Sequence, residues 1–169
     1  MKTIETPILI NAEPWEVWNI LMKIHEYENW NPIHENIKGI PELDDSVVLV
    51  INPDWKYIAT YIKDANAVKL LEGAKAQISR LKFKVKKIKE NEYLEWRSRI
   101  FFGLFVDIRQ SFELIPIEEG QTKFIHRQQV GGKMGRMIPK DKFEQMFFAI
   151  NKAFNERLKA YVEKEYINP

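Results

Sequence analysis

Apolar residues recur at steps of three and four near the end of the chain. Phe143, Phe147, Ile150, Phe154, Leu158 and Tyr161 form the stripe, with Met146, Ala153 and Val162 widening it. Lys142, Glu144, Lys152, Glu156, Lys159 and Glu163 fall on the other side. The pattern predicts one long amphipathic helix from Pro139 to Tyr166, with Pro139 suited to a first turn that has no use for its missing N–H. A helix of roughly 25 residues is about 37 Å long. Covering its apolar stripe takes more than one short strand and predicts a curved sheet.

The preceding sequence supplies that sheet. Lys2 to Asn11 reads as a strand through Ile4, Ile8 and Ile10, and a helix follows, with Pro14 near its start and Val17, Trp18, Leu21 and Ile24 inward. Asn29, Asn31 and Pro32 break it. Ile33 to Ile40 and Val47 to Ile51 read as short strands, the second apolar enough to have little exposed surface. Four alternating strands come next. Gln77 to Lys89 turns Leu81, Phe83 and Val85 to one face, and Tyr93 to Ile100 turns Leu94, Trp96 and Ser98 inward. Val106 to Ile115 does so with Ile108, Gln110, Phe112 and Leu114, and Thr122 to Val130 with Phe124, His126 and Gln128. Their short connections, at Glu90-Asn91, Gly103 and Glu119-Gly120, predict a consecutive antiparallel meander. Between the two strand groups, Asn52 to Gln77 is irregular. Asp64, Ala65 to Glu72 and Gly73 predict a cap, a short helix and its glycine stop there. The stretch carries Trp55, Tyr57, Tyr61, Leu70 and Leu71, so it is expected either to cover a cavity opening as a lid or to extend the sheet beside one surface helix.

Symmetric loop closure predicts register. Trp96 should face Gln110, Ser98 should face Ile108, and Gln110 should face His126, placing Trp96, Gln110 and His126 in one inward row. A buried amide and imidazole need partners. Three readings follow: they bond one another or water and are structural, they orient the polar end of a ligand in an apolar pocket, or His126 moves a proton. On the outer face the same closure lines up Lys84, Arg97, Arg109 and Arg127, with Lys86 beside Glu95 and Arg99 beside Asp107. That row is either a solvated surface or a candidate for transient contact with an anionic protein or membrane surface.

Composition narrows the class. The chain of 169 residues fits one domain, residues 1–169. It has no cysteine, which excludes disulfides, a thiolate nucleophile and Cys-ligated zinc. With no signal-peptide core at its start and no apolar run long enough to span a bilayer, a cytoplasmic protein is expected. The net charge of +2, from 26 basic and 24 acidic groups, gives no bulk drive toward nucleic acid. His25 and His34 lack metal-ligand spacing, and exposed or capping roles are expected of them, so no metal and no cofactor are expected. Gly131, Gly132 and Gly135 fit neither a dinucleotide fingerprint nor a P-loop and read as a hinge or helix start. Trp15, Trp18 and Trp30 read as core and rim packing. Phe148 sits beside the stripe of the last helix, open to either a covering or an exposed role.

A strand, then NAEPWEVWNIL, ENWNP, a strand ending at Gly39, EYLEWR, QSFEL, TKFIHRQQVGG and a C-terminal amphipathic helix occur in that order. Over nearly its whole length the chain thereby resembles the START-like superfamily, which includes the Bet v 1 allergens and the polyketide cyclase and lipid transport domains. The resemblance implies an α+β helix-grip fold: a curved antiparallel sheet wrapped around a long C-terminal helix with a cavity between them. It also implies binding, with or without transport, of a hydrophobic small molecule or lipid, and the inward faces read above are expected to line the cavity with Phe83, Trp96, Gln110, Phe112, His126, Phe143 and Phe147. A cyclase or dehydratase using the same cavity, with His126 as its catalytic candidate, is the alternative, and an unliganded interaction module is the third reading.

Overall fold

A computed structural model describes residues 1–51, 54–62, 69 and 80–166. Strand β1 (Lys2–Ile10) leads to helix α1 (Pro14–Met22) and a 3₁₀ segment (Ile24–Asn29), then β2 (His34–Lys38), β3 (Ser46–Ile51) and α2 (Trp55–Ala59). Strands β4 (Arg80–Lys89), β5 (Tyr93–Ile100), β6 (Val106–Glu118) and β7 (Gln121–Gly131) follow. The chain then forms the short α3 (Gly132–Met137) and the long α4 (Lys140–Tyr166). The seven strands form one antiparallel sheet in the order β1-β7-β6-β5-β4-β3-β2. From β1 at one edge the chain passes through α1 to the opposite edge, then returns strand by strand until β7 pairs with β1. The fold is α+β of the helix-grip kind, with α4 gripped by the sheet.

Each turn has a local cause. Glu16 accepts the backbone N–H of Glu13 at 2.8 Å, tying down the first turn of α1 behind Pro14. Glu13 also accepts the N–H of Gly120 at 2.6 Å, pinning α1 to the β6–β7 turn. Past the 3₁₀ segment, the Asn31 carboxamide oxygen accepts the N–H groups of Ile33 and His34 at 2.9 and 3.1 Å, turning the chain into β2. Gly39 ends β2 at φ +106°, where a Cβ would lie 2.5 Å from the Ser46 carbonyl oxygen.

Register follows the expected closure in two places and departs from it in others. Trp96 faces Gln110, Ser98 faces Ile108, Arg99 faces Asp107, and Lys84 faces Arg97. The β4–β5 connection is a three-residue loop with Asn91 at φ 60°, and the irregularity between Val85 and Lys87 offsets the extra residue. Glu95 therefore faces Lys87, not Lys86. Between β6 and β7 a tight Glu119-Gly120 turn with a bulge between Pro116 and Glu118 moves the pairing by two residues. His126 faces Phe112, and Gln110 faces Gln128.

This shift also corrects the expected cation row. Arg109 faces Gln129 and Arg127 faces Ser111, so Arg127 leaves the row. Each of the four cations has an acid. Lys84 meets Asp44 at 3.0 Å, Arg97 grips Asp107 at 2.7 and 2.5 Å, Arg109 approaches Glu95 at 3.5 Å, and Arg127 holds Glu5 at 2.7 Å. The outer face is a mixed lattice of ion pairs and not a free anion-binding stripe.

The core lies between the inner face of the sheet and α4. Phe143, Met146, Ala149, Ala153, Phe154, Leu158 and Val162 are buried, whereas Phe147, Ile150 and Tyr161 are half-buried. The buried arc of α4 also contains Asn151 and Asn155, two polar residues one turn apart. Trp18 and Trp30 are buried while Trp15 and Phe148 are exposed. His34, expected at the surface, is buried against Asn31, and burial lowers its pKa to about 4.

Candidate functional site

The inner face carries a hydrogen-bonded chain whose direction is fixed by one donor. The indole N–H of Trp96 can only donate, and it donates to Gln110 Oε1 at 2.8 Å. The Gln110 Nε2 group therefore faces outward from that bond and donates to His126 Nε2 at 2.7 Å. His126 must then carry its proton on Nδ1, which donates to Asn155 Oδ1 at 3.2 Å. Asn155 Nδ2 finally donates to the Thr6 carbonyl at 2.8 Å. Strands β5, β6 and β7, helix α4 and strand β1 are tied by one polarised run. Gln110 and His126 bond diagonally across the β6–β7 pair, a reach long side chains have despite the two-residue shift in register.

Aromatic rings surround this chain. The Phe112 ring stacks on Phe124 and Phe154 at 5.7 and 5.5 Å between centroids, and lies 4.8 Å from the His126 ring. Trp96 meets Phe112 edge-on at 5.5 Å and Phe83 at 6.0 Å. Burial among these rings lowers the His126 pKa to about 3, against the opposing pull of its bond to Asn155. The imidazole is neutral at physiological pH and has both nitrogens engaged.

The seven sequence-predicted lining residues fall into two groups. Phe83, Trp96, Gln110, Phe112 and His126 form the deep cluster just described. Phe143 and Phe147 pair with each other at 4.6 Å on the first half of α4, where the Lys2 ammonium lies 6.0 Å from the Phe143 ring. Asn151 and Asn155 were not among the expected site residues. Their signal was present: both sit four apart inside the apolar stripe, where a short amide is a poor helix former unless a specific partner holds it.

Beside the Phe143–Phe147 pair opens a cleft of about 470 Å³, lined by Ile4, Tyr61, Glu144, Gln145 and Phe148. Its volume suits a small ligand. Ile4 pairs across the ladder with Gln128, which is buried and points inward in phase with His126. Gln128 Oε1 has no hydrogen-bond partner among the described residues. The chain from Asp54 to Ile62 contributes the outer wall. Ile58 is fully buried, Tyr57 lies under the Arg157 guanidinium at 4.3 Å, and the Tyr61 hydroxyl donates to that of Tyr57 at 3.1 Å. The helix expected at Ala65 to Glu72, and most of the expected lid, lie outside the described residues. A second cleft, of about 600 Å³, adjoins Pro14, Glu90–Tyr93 and Glu113–Pro116. It contains no buried polar atom without a partner. Among the described residues no cluster of His, Asp or Glu could hold a metal ion, and no helix is long and apolar enough to cross a membrane.

No family model matches the sequence, and no curated protein matches it. Solved structures do match in three dimensions. A START superfamily protein from Mycobacterium smegmatis superposes with a TM-score of 0.70 at 14% identity, over 96% of this chain and 98% of that one. The Zhui aromatase/cyclase from Streptomyces sp. R1128 gives 0.63 at 12% identity, over 97% and 94%. A norcoclaurine synthase point mutant from Thalictrum flavum, solved with a transition-state analogue, gives 0.61 at 9% identity, over 97% and 95%. Strand order, the gripped C-terminal helix and these superpositions agree that the chain has the START-like, Bet v 1-like helix-grip fold.

Proposed function

We propose that this protein binds an apolar small molecule or lipid that enters between β1 and the first half of α4 and carries a hydrogen-bond donor at its polar end. The observation that carries this reading is the unpartnered Gln128 Oε1, buried beside Ile4, its partner across the ladder and a lining residue of the cleft. A buried acceptor left empty costs about 1–3 kcal/mol, so a ligand hydroxyl or amine that fills it gains both affinity and selectivity. Phe148 supplies the aromatic wall on this reading, with the Phe143–Phe147 pair beside it on α4. Trp96, Gln110, Phe112 and His126 hold the floor rigid from behind, with Phe83 packed on Trp96. The cyclase-type alternative needs His126 as an acid or base. Its engagement at both nitrogens and a pKa held near 3 weigh against that role at neutral pH.

Titration with two fluorescent probes tests the reading. 1-Aminoanthracene has a donor; anthracene has none. Wild-type protein is expected to bind both saturably, and Gln145→Trp, on the cleft wall, to weaken both by roughly tenfold or more. Gln128→Leu should weaken only 1-aminoanthracene. Equal binding of both probes by all three proteins, with folding verified by circular dichroism, would overturn the assignment.

A further inference from the structure

The connection between β5 and β6 is apolar and turned outward. Phe101 is 74% exposed, Phe102 98%, Leu104 74% and Phe105 48%. Phe101 and Phe102 stand at φ 50° and 54° and Gly103 at φ 89°, three consecutive residues in the left-handed region. Two bulky aromatics in that conformation are strained, and such strain persists only where the surroundings impose it. The imposing element is α3. Lys133 donates its N–H to the Leu104 carbonyl at 2.8 Å, and Gly132, at φ +73°, lies so close that a Cβ would sit 2.7 Å from the Phe105 carbonyl oxygen. The loop is thus clamped into a firm tip whose outermost atoms are hydrocarbon. Met137, on the same clamp, is 71% exposed.

Charge around the tip has one sign. From Trp96 to Val106 the charged residues are Arg97 and Arg99, and from Gln128 to Lys140 they are Lys133, Arg136 and Lys140. Neither stretch contains an acid. Asp107, just beyond, is taken by Arg97. Lys133 and Arg136 are exposed and form no ion pair among the described residues. A projecting aromatic tip beside unpaired cations, with the adjacent Asp107 carboxylate neutralised by Arg97, matches the interface of a bilayer whose headgroups are anionic. We propose that this end of the molecule docks on an anionic lipid surface, with Phe101, Phe102 and Leu104 entering the interface and Lys133 and Arg136 meeting the headgroups. The proposal stands apart from the ligand reading. The two sites share one end of β1 all the same, since Lys2 bonds the Gly135 carbonyl at 2.6 Å and also that of Ile138, two residues before Ile4 of the cleft.

Cosedimentation of the intact chain with phosphatidylcholine vesicles, with and without phosphatidylglycerol, tests it at low and high salt. Wild-type protein is expected to pellet with the phosphatidylglycerol vesicles at low salt and much less at high salt. Phe101→Asn plus Phe102→Asn should reduce its partition coefficient by roughly tenfold or more. Asparagine accepts the left-handed backbone, so this variant keeps the loop, and a thermal melt confirms its folding. Lys133→Gln plus Arg136→Gln should lose most of the salt dependence. Absence of wild-type binding to either vesicle, equal binding to both compositions, or undiminished binding by the asparagine variant would overturn the proposal. So would a wild-type dimer in sedimentation without lipid that the asparagine variant disperses, which would give the tip to a second copy of this chain.

Discussion

The floor of the helix grip and the β5–β6 tip place the same kinds of residue in opposite settings. In the floor, one run of polar groups deep inside is bonded end to end, from Trp96 through Gln110, His126 and Asn155 to Thr6. At the tip, aromatic groups are outside, and the backbone that presents them is strained. A satisfied buried network needs nothing further and specifies one packing of the core. Groups left unsatisfied carry the two proposals: Gln128 Oε1 behind Ile4 of the cleft, and Phe101 and Phe102 at the tip. The lesson is that a buried polar residue is judged by its bonding, not by its depth.

Acidification should separate the two regions most strongly. His126 and His34 have folded pKa values near 3 and 4, below their ordinary value of 6.5. Below that value the unfolded chain takes up protons that the folded chain refuses. Stability is therefore full above about pH 6.5 and falls as pH drops toward the folded values, by about 1.4 kcal/mol per unit for each histidine. Urea unfolding between about pH 7.5 and pH 5 should show a loss of up to about 4 kcal/mol. His126→Gln should lose about half that dependence. A flat profile in the wild type would mean that the floor is wetter than its packing shows.

Next in size is Asn155→Leu, which fits the stripe of α4 yet orphans His126 Nδ1 and the Thr6 carbonyl. Chemical denaturation should register a loss of about 3 kcal/mol. Were the loss below about 1 kcal/mol, the polar chain would not be what fixes α4 on β1. Gln128→Leu, two residues along β7 from His126, provides the contrast. It removes an acceptor that has no partner, so the unfolding free energy should stay within about 1 kcal/mol of wild type or rise. The smallest effect is expected at the tip. Phe102→Asn relieves left-handed strain at an exposed site, and calorimetry should show unchanged or slightly higher stability, by about 0.5 kcal/mol. A substantial drop would show that the Phe102 ring packs where it stands exposed.

Much of this contrast was legible in the sequence, and the rest was hidden for physical reasons. Alternation in β4 to β7 and the stripe of α4 mark their buried faces because burial selects apolar residues at fixed periods. The Trp96–Gln110 pairing followed from a symmetric loop. The Gln110–His126 pairing predicted in the same way does not form, because the bulge before Glu118 inserts a residue that alternation cannot reveal. Gln110 and His126 nevertheless meet, on the diagonal. Asn151 and Asn155 were passed over because amides read as the polar side of a helix, although their spacing matches its apolar side. The expected cation row keeps Lys84, Arg97 and Arg109 in register and loses only Arg127, while Asp44, Asp107, Glu95 and Glu5 neutralise the four charges from elsewhere in the sequence. His34 looked like a surface residue, and only the turn built by Asn31 explains its burial. In the same way IFFGLF read as a connection through Gly103. Its outward aromatics became visible with the clamp that Gly132 and Lys133 impose.

The central claim is that the cleft beside Gln128 takes an apolar molecule, and native mass spectrometry of the protein purified from cells tests it most directly. Wild-type protein should carry added mass that extraction with organic solvent releases as an apolar compound bearing a hydroxyl or amine. Gln145→Trp, folded but with its cleft wall filled, should come through without it. Wild-type protein that remains at its bare chain mass, both as purified and after incubation with donor-bearing apolar probes, would contradict the account.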